Sequence, residues 1–138
     1  MKYTATRFLF ILAILASTGC ATLDSRTREQ VIAERAQTYV GYLAKKDFAH
    51  AYPFTSAGYR SGVSEQEFAR RWMVRPVQWK AANVQDVHCI DTVCTVIVKV
   101  DYEVQIPSAY VGDYRGKRNI KMKWFQSDDK LWYYSPTR

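Results

Sequence analysis

The second half of the chain is written in period two. Val96, Val98, Val100, Tyr102, Val104 and Ile106 alternate with Thr95, Ile97, Lys99, Asp101, Glu103 and Gln105, which predicts a strand over 93–106 with one face buried. Ile120, Met122 and Trp124, set against Lys121 and Lys123, predict another over 118–126. A first long strand is expected over 79–88, and a short closing one over 131–135 after an Asp128-Asp129 turn. The stretch 107–116 carries Pro, Ser and two Gly and reads as a loop. The first half follows helical spacing instead. Val31, Ile32, Tyr39, Val40 and Leu43 predict a helix over 28–45. Asp47 caps a short second helix through Ala51, stopped at Pro53. Ser64-Glu65-Gln66-Glu67 reads as a capping box opening a third helix over 65–73, with Phe68 and Trp72 four apart on one side and Pro76 beyond its end. Three helices followed by about four antiparallel strands is an α+β pattern, in which the helices must cover the apolar face of one curved sheet.

The chain opens differently. Lys2 and Arg7 precede an unbroken apolar run at 8–16, then the small residues Ser17, Thr18 and Gly19, then Cys20. These are the three regions of an export leader, and the run falls well short of the about 20 residues a membrane-spanning helix needs. The Gly19-Cys20 junction resembles the lipobox of bacterial lipoproteins, with Ser17 standing where Leu is usual. The resemblance implies cleavage after residue 19 and a lipid on the Cys20 thiol, since a thiolate is the nucleophile that makes the thioether. It also implies sorting to the outer membrane, because Ala21 rather than Asp follows the cysteine. The organisation expected is a signal peptide at 1–19, a tether at 20–27 and one domain at 28–138. Two or more acyl chains would hold the protein at a membrane without any spanning helix.

The three cysteines divide accordingly. With Cys20 lipidated, Cys89 and Cys94 remain, on what look like two strand ends joined by a four-residue turn. Facing positions of an antiparallel pair suit a disulfide. A metal site is the rival reading, but the sequence has no second cysteine pair and His50 stands alone, so no metal and no cofactor is expected.

The runs 42–52, 55–60 and 64–68, together with the closing Lys130-Leu131-Trp132-Tyr133-Tyr134, look like the helical half and last strand of NTF2-like (cystatin-like) domains. The chain most resembles their periplasmic lipoproteins, including the lumazine-binding-like group, over about 28–138. The resemblance implies helices laid across the hollow of a bent sheet, forming an open cone. Enzymes of this fold place an Asp, His or Tyr in the cone. Here only His50 and His88 are histidines, and the first reads as a surface or helix-terminal residue, the second as solvated near a hairpin tip. There is no nucleophile motif, nucleotide-binding glycine loop or paired-carboxylate cluster.

Composition then narrows the function. In 138 residues, 48% are hydrophobic and 24% charged, which is globular, and the net charge of +7 is a mild excess that includes the leader's two cations. Aromatics are dense, at ten Tyr, six Phe and four Trp. Tyr39, Tyr52, Tyr59, Phe68, Trp72 and Trp124 come from elements that converge, either as plain core or as the wall of a pocket for a flat or apolar ligand. Arg115, Lys117, Arg118, Lys121 and Lys123 place five cations within nine residues. They form either a basic patch for anionic lipid or an acidic protein, or cross-strand pairs with Asp101 and Glu103. Nucleic acid is excluded as a partner of an exported protein. The expected role is a non-catalytic, lipid-anchored accessory or binding subunit of a cell-envelope assembly with an envelope protein partner. A small-molecule binder using the cone is the alternative, and a SnoaL-like enzyme a third reading.

Overall fold

The computed structural model describes residues 26–104 and 113–136. The expected leader, Cys20, most of the tether and the end of the strand expected to reach Ile106 lie outside the described residues. Helix α1 (Arg28–Ala44) opens with a full capping box: the Thr27 hydroxyl accepts from the Gln30 amide, and the Gln30 side chain accepts from the Thr27 amide. One face of α1, made by Ile32, Ala36, Tyr39, Val40 and Leu43, is buried. Helix α2 (Phe48–Ala51) is capped by Asp47 as its sequence implies and runs into a 3-10 turn (Tyr52–Phe54) with Pro53 near its start. A further one-turn helix, α3 (Ala57–Arg60), follows on the Ser56 cap. It is a departure from the three helices expected, and it is too short for periodicity to reveal. Helix α4 (Glu65–Met73) starts on Ser64, whose hydroxyl accepts from the Glu67 amide. Glu67 does not complete the box expected there. Its carboxylate is taken by Arg70 and Arg71, two stronger charged partners one turn on.

Four strands form one antiparallel sheet in the order β1-β2-β3-β4. They are β1 (Val77–Ile90), β2 (Val93–Val104), β3 (Tyr114–Gln126) and β4 (Trp132–Tyr134). The β1–β2 connection is a two-residue turn, Asp91-Thr92, rather than four residues, and Asp91 takes a left-handed φ of 49°. Strand β3 begins four residues earlier than its pattern suggests. Gly116, expected in a loop, lies within it opposite Tyr102, where a Cβ would come 2.6 Å from the tyrosine oxygen. The bare glycine is what lets the Tyr102 ring lie across the strand.

Period two holds through β2 and β3, and in β1 between its two irregularities. Val84, Val98 and Ile120 share a row on the inner face, as do Val87, Val96 and Met122. These rows meet the buried face of α1, and together they make the core. Two register shifts in β1, at Trp79/Ala81 and Val84/Asp86, each insert one residue and so change which side chains of the strand face inward. At the second shift Gln37 of α1 stands in for a neighbouring strand. Its amide donates to the Ala82 carbonyl at 3.0 Å and accepts from the Val84 N–H at 2.8 Å. Strand β4 is locked to the helices by Ser56, whose N–H donates to the Tyr134 carbonyl at 2.8 Å, and by Arg35 and Arg60, which both lie over the Tyr133 ring.

Cys89 and Cys94 face each other at the end of the β1–β2 hairpin, with Cα atoms 4.0 Å apart, joined by a disulfide. The loop it closes is short, so removing it with the double substitution Cys89→Ala/Cys94→Ala should cost about 2 kcal/mol in urea unfolding. Non-reducing peptide mapping should find the two cysteines linked. Two free thiols would refute the bridge.

Candidate functional site

A cavity of about 650 Å³ opens between α1, α4 and the inner face of the sheet. Its floor comes from α1, where the helical repeat that buries Tyr39 and Leu43 also aims them at the sheet. One wall is α4 with its exit, giving Phe68, Arg71, Trp72 and Arg75, and the other is the inner row of β2 and β3 with Val100, Tyr102, Arg118 and Ile120. The aromatic groups hold one another. Trp72 meets Trp79 edge to face at 5.1 Å and Phe68 at 6.3 Å, while Tyr39 lies 5.4 Å from Tyr134.

The charge at this cavity has one sign. Arg71, Arg75 and Arg118 border it, and among the described residues no Asp, Glu or His does. Arg75 stacks over Trp72 at 3.9 Å, which turns its guanidinium plane toward the aromatic wall. Arg71 is tethered to Glu67 at 2.7 Å, and this pairing holds its pKa above the ordinary arginine value. Lys121 borders the cavity through its place on β3. By strand alternation its side chain stands on the opposite face of the sheet.

Tyr39 is the unusual member. It is completely buried, and its hydroxyl has no hydrogen-bond partner. Burial first, and then the neighbouring Tyr134 and Tyr59, push its pKa well above the ordinary tyrosine value, so the hydroxyl keeps its proton at any physiological pH. A buried donor with nothing to donate to is costly unless an acceptor arrives.

Of the six aromatic residues proposed from sequence for a pocket, Tyr39, Tyr59, Phe68 and Trp72 line the cavity. Tyr52 does not: its hydroxyl donates to the Val63 carbonyl at 2.7 Å, and its ring packs on Phe68. Trp124 is fully buried one row deeper, edge-on to Tyr39 at 5.7 Å, and belongs to the core. The five cations of β3 divide rather than forming one patch. Arg115 pairs with Glu103 at 3.1 Å and Lys117 with Asp101 at 3.5 Å, Arg118 turns to the cavity, and Lys121 and Lys123 stand on the outer face. His50 is exposed at the surface, bonded to Asp47 at 2.8 Å and stacked on Tyr42, and His88 is exposed on the outer face of β1. Among the described residues no group of His, Cys, Asp and Glu could hold a metal. Sequence reading missed Arg71, Arg75, Tyr102 and Tyr134 as cavity residues. The one local signal was the four-residue step from Phe68 to Trp72, repeated from Arg71 to Arg75.

No family model matches the chain, and no curated protein matches it. Among solved structures it is similar to a SEC-C motif-containing protein from Rhodopseudomonas palustris, with a TM-score of 0.55 and 15% identity over 74% of this chain and 73% of that one. At that identity the likeness speaks for the fold alone, helices packed on a four-stranded antiparallel sheet.

Proposed function

We propose that the protein is a non-catalytic binding protein of the NTF2-like type, anchored to the envelope through Cys20, whose cavity takes an anionic ligand with a flat or apolar body. The observation that carries this reading is the cavity's composition. Aromatic and aliphatic walls, three arginines and an unpartnered tyrosine donor surround about 650 Å³ with no described Asp, Glu or His. That volume falls in the range of small-molecule sites, and the mixture of apolar walls with a few polar groups is theirs as well. Arginine suits a carboxylate, sulfonate or phosphate because its fork bonds such groups two at a time. Of the Asp, His or Tyr that enzymes of this fold place in the cone, the described lining has tyrosines alone, and burial holds the Tyr39 pKa well above the ordinary tyrosine value, which suits a hydrogen-bond donor better than a base.

The fluorescent dye 1-anilinonaphthalene-8-sulfonate is a probe of this shape and charge. It should bind with a rise in emission, and Trp72→Ala or Arg75→Ala should remove most of that rise. Tyr39→Phe separates binding from folding. It should leave the free protein as stable as before, or more stable by up to about 1 kcal/mol, because an unsatisfied buried hydroxyl is lost. It should still weaken the dye about three-fold, in keeping with one hydrogen bond. Equal binding of the uncharged parent dye would defeat the anion reading, and a Tyr39→Phe protein that unfolds more readily would defeat the account of Tyr39.

An accessory role in an envelope assembly is the second reading, favoured by the lysines that β3 carries to the outer face.

A further inference from the structure

The two edges of the sheet are treated differently. On β1, α1 lies alongside and Gln37 bonds the backbone that the register shift leaves open. On β3, strand β4 pairs only with Trp124, Phe125 and Gln126. Ser135 adds one bond, its N–H donating to the Lys123 carbonyl at 3.3 Å, and Pro136, with no N–H of its own, then breaks the pairing. From Tyr114 to Met122 the side of β3 away from β2 has no partner strand among the described residues.

Alternation says which groups that edge offers. The Lys123 carbonyl faces β4, whereas the Gln126 N–H faces the other way and donates to Thr92 at 2.9 Å. Odd-numbered residues of β3 therefore point their backbone groups outward, so Arg115, Lys117, Asn119 and Lys121 present N–H and C=O to the open edge. The same four residues and Lys123 place their side chains on the outer face, and β3 holds no Asp or Glu.

We propose that this edge of β3 is a docking site for an extended acidic segment of a partner protein, which adds as an antiparallel fifth strand. Backbone bonds to the four residues would supply the pairing, and acidic side chains at alternate positions would lie across from Lys117 and Lys121, with Lys123 diagonal to the second of these. A second copy of this chain fits poorly. Antiparallel pairing of β3 on itself about Asn119 sets Lys117 opposite Lys121, and like charges directly opposed disfavour a strand pair. The inference goes beyond the cavity reading and stands without it: the side chains it uses stand on the outer face, and of the four edge residues only Lys121 also borders the cavity, through its place on β3.

A short synthetic peptide alternating Glu and Val tests it on the purified full chain. Hydrogen exchange read by NMR should show the amides of Arg115, Lys117, Asn119 and Lys121 exchanging fast in the free protein. The peptide should slow them selectively, while the even-numbered amides, already bonded to β2, barely change. Methylating the glutamate nitrogens of the peptide should abolish the protection, because those nitrogens would face β3. The double substitution Lys121→Glu/Lys123→Glu should weaken the peptide at least about tenfold. Asn119→Pro is a second variant that removes one outward donor and leaves the β2 ladder whole; it should weaken binding too. Unchanged affinity for the methylated peptide overturns the proposal. So does protection of the four amides that grows with protein concentration alone, which would make the edge a self-association site.

Discussion

Trp124→Ala should cost the domain about 3 kcal/mol, at the low end of what truncating a buried tryptophan costs. Trp124 is fully buried, pairs across β3 with Cys94 and Tyr134, and meets Tyr39 edge-on. Removing the indole empties the layer where α1 meets the sheet, and the disulfide beside it and the locked β4 strand prevent collapse into the gap. One term works the other way. The indole N–H has no hydrogen-bond partner, so alanine also removes an unsatisfied buried donor. Trp124→Phe isolates this compensation: it keeps most of the apolar volume, loses the orphan N–H and should cost less than about 1.5 kcal/mol. Urea unfolding with equal m-values for the three proteins is the measurement. A Trp124→Ala protein within about 0.5 kcal/mol of wild type would show that the residue is not the packing centre described here.

The second large effect lies at the other end of the chain. Under the proposed lipid anchor, Cys20→Ser should move the protein from the membrane fraction to the soluble fraction of cells that express it. Serine keeps the size of the side chain but lacks the thiolate that makes the thioether. No described helix is long and apolar enough to cross a membrane, and one acyl chain binds a bilayer only marginally, whereas two or three hold it firmly. Fractionation and the mass of the mature N-terminal peptide read the outcome together. A wild-type protein already found in the soluble fraction, or an unmodified Cys20 peptide, ends the anchor proposal. The cavity and edge proposals would survive that result, because neither uses residue 20.

The two halves of the chain were legible to different degrees. Strand β2 could be read almost residue by residue, since Val96, Val98 and Val100 alternate with Thr95, Ile97, Lys99 and Asp101, only one of which is apolar, and all three valines are buried. The start of β3 was hidden because Arg115 and Gly116 read as the end of a loop and Lys117 falls between that loop and the expected strand. What makes them a strand is pairing with Glu103, Tyr102 and Asp101, and the glycine serves a ring from the neighbouring strand. Helix α3 escaped because four residues carry no period. The box motif at Ser64 was only half used, since a nearby arginine pair competes for the Glu67 carboxylate. The complete box, at Thr27 and Gln30, is closed by a glutamine with no charged partner competing for it.

Alternation and helical spacing were enough for the α+β order of the elements, most of the core and the facing of Cys89 and Cys94, because each rests on residues a few positions apart. The anchor proposal draws on local residues as well, Lys2 and Arg7 before the apolar run and Gly19-Cys20 after it. The hollow beside Tyr39, the stranded hydroxyl, the ring of arginines from α4 and β3, and the bare side of β3 became visible only in three dimensions. Each depends on where groups dozens of residues apart come to rest, and on which backbone bonds the tertiary pairing leaves unmade.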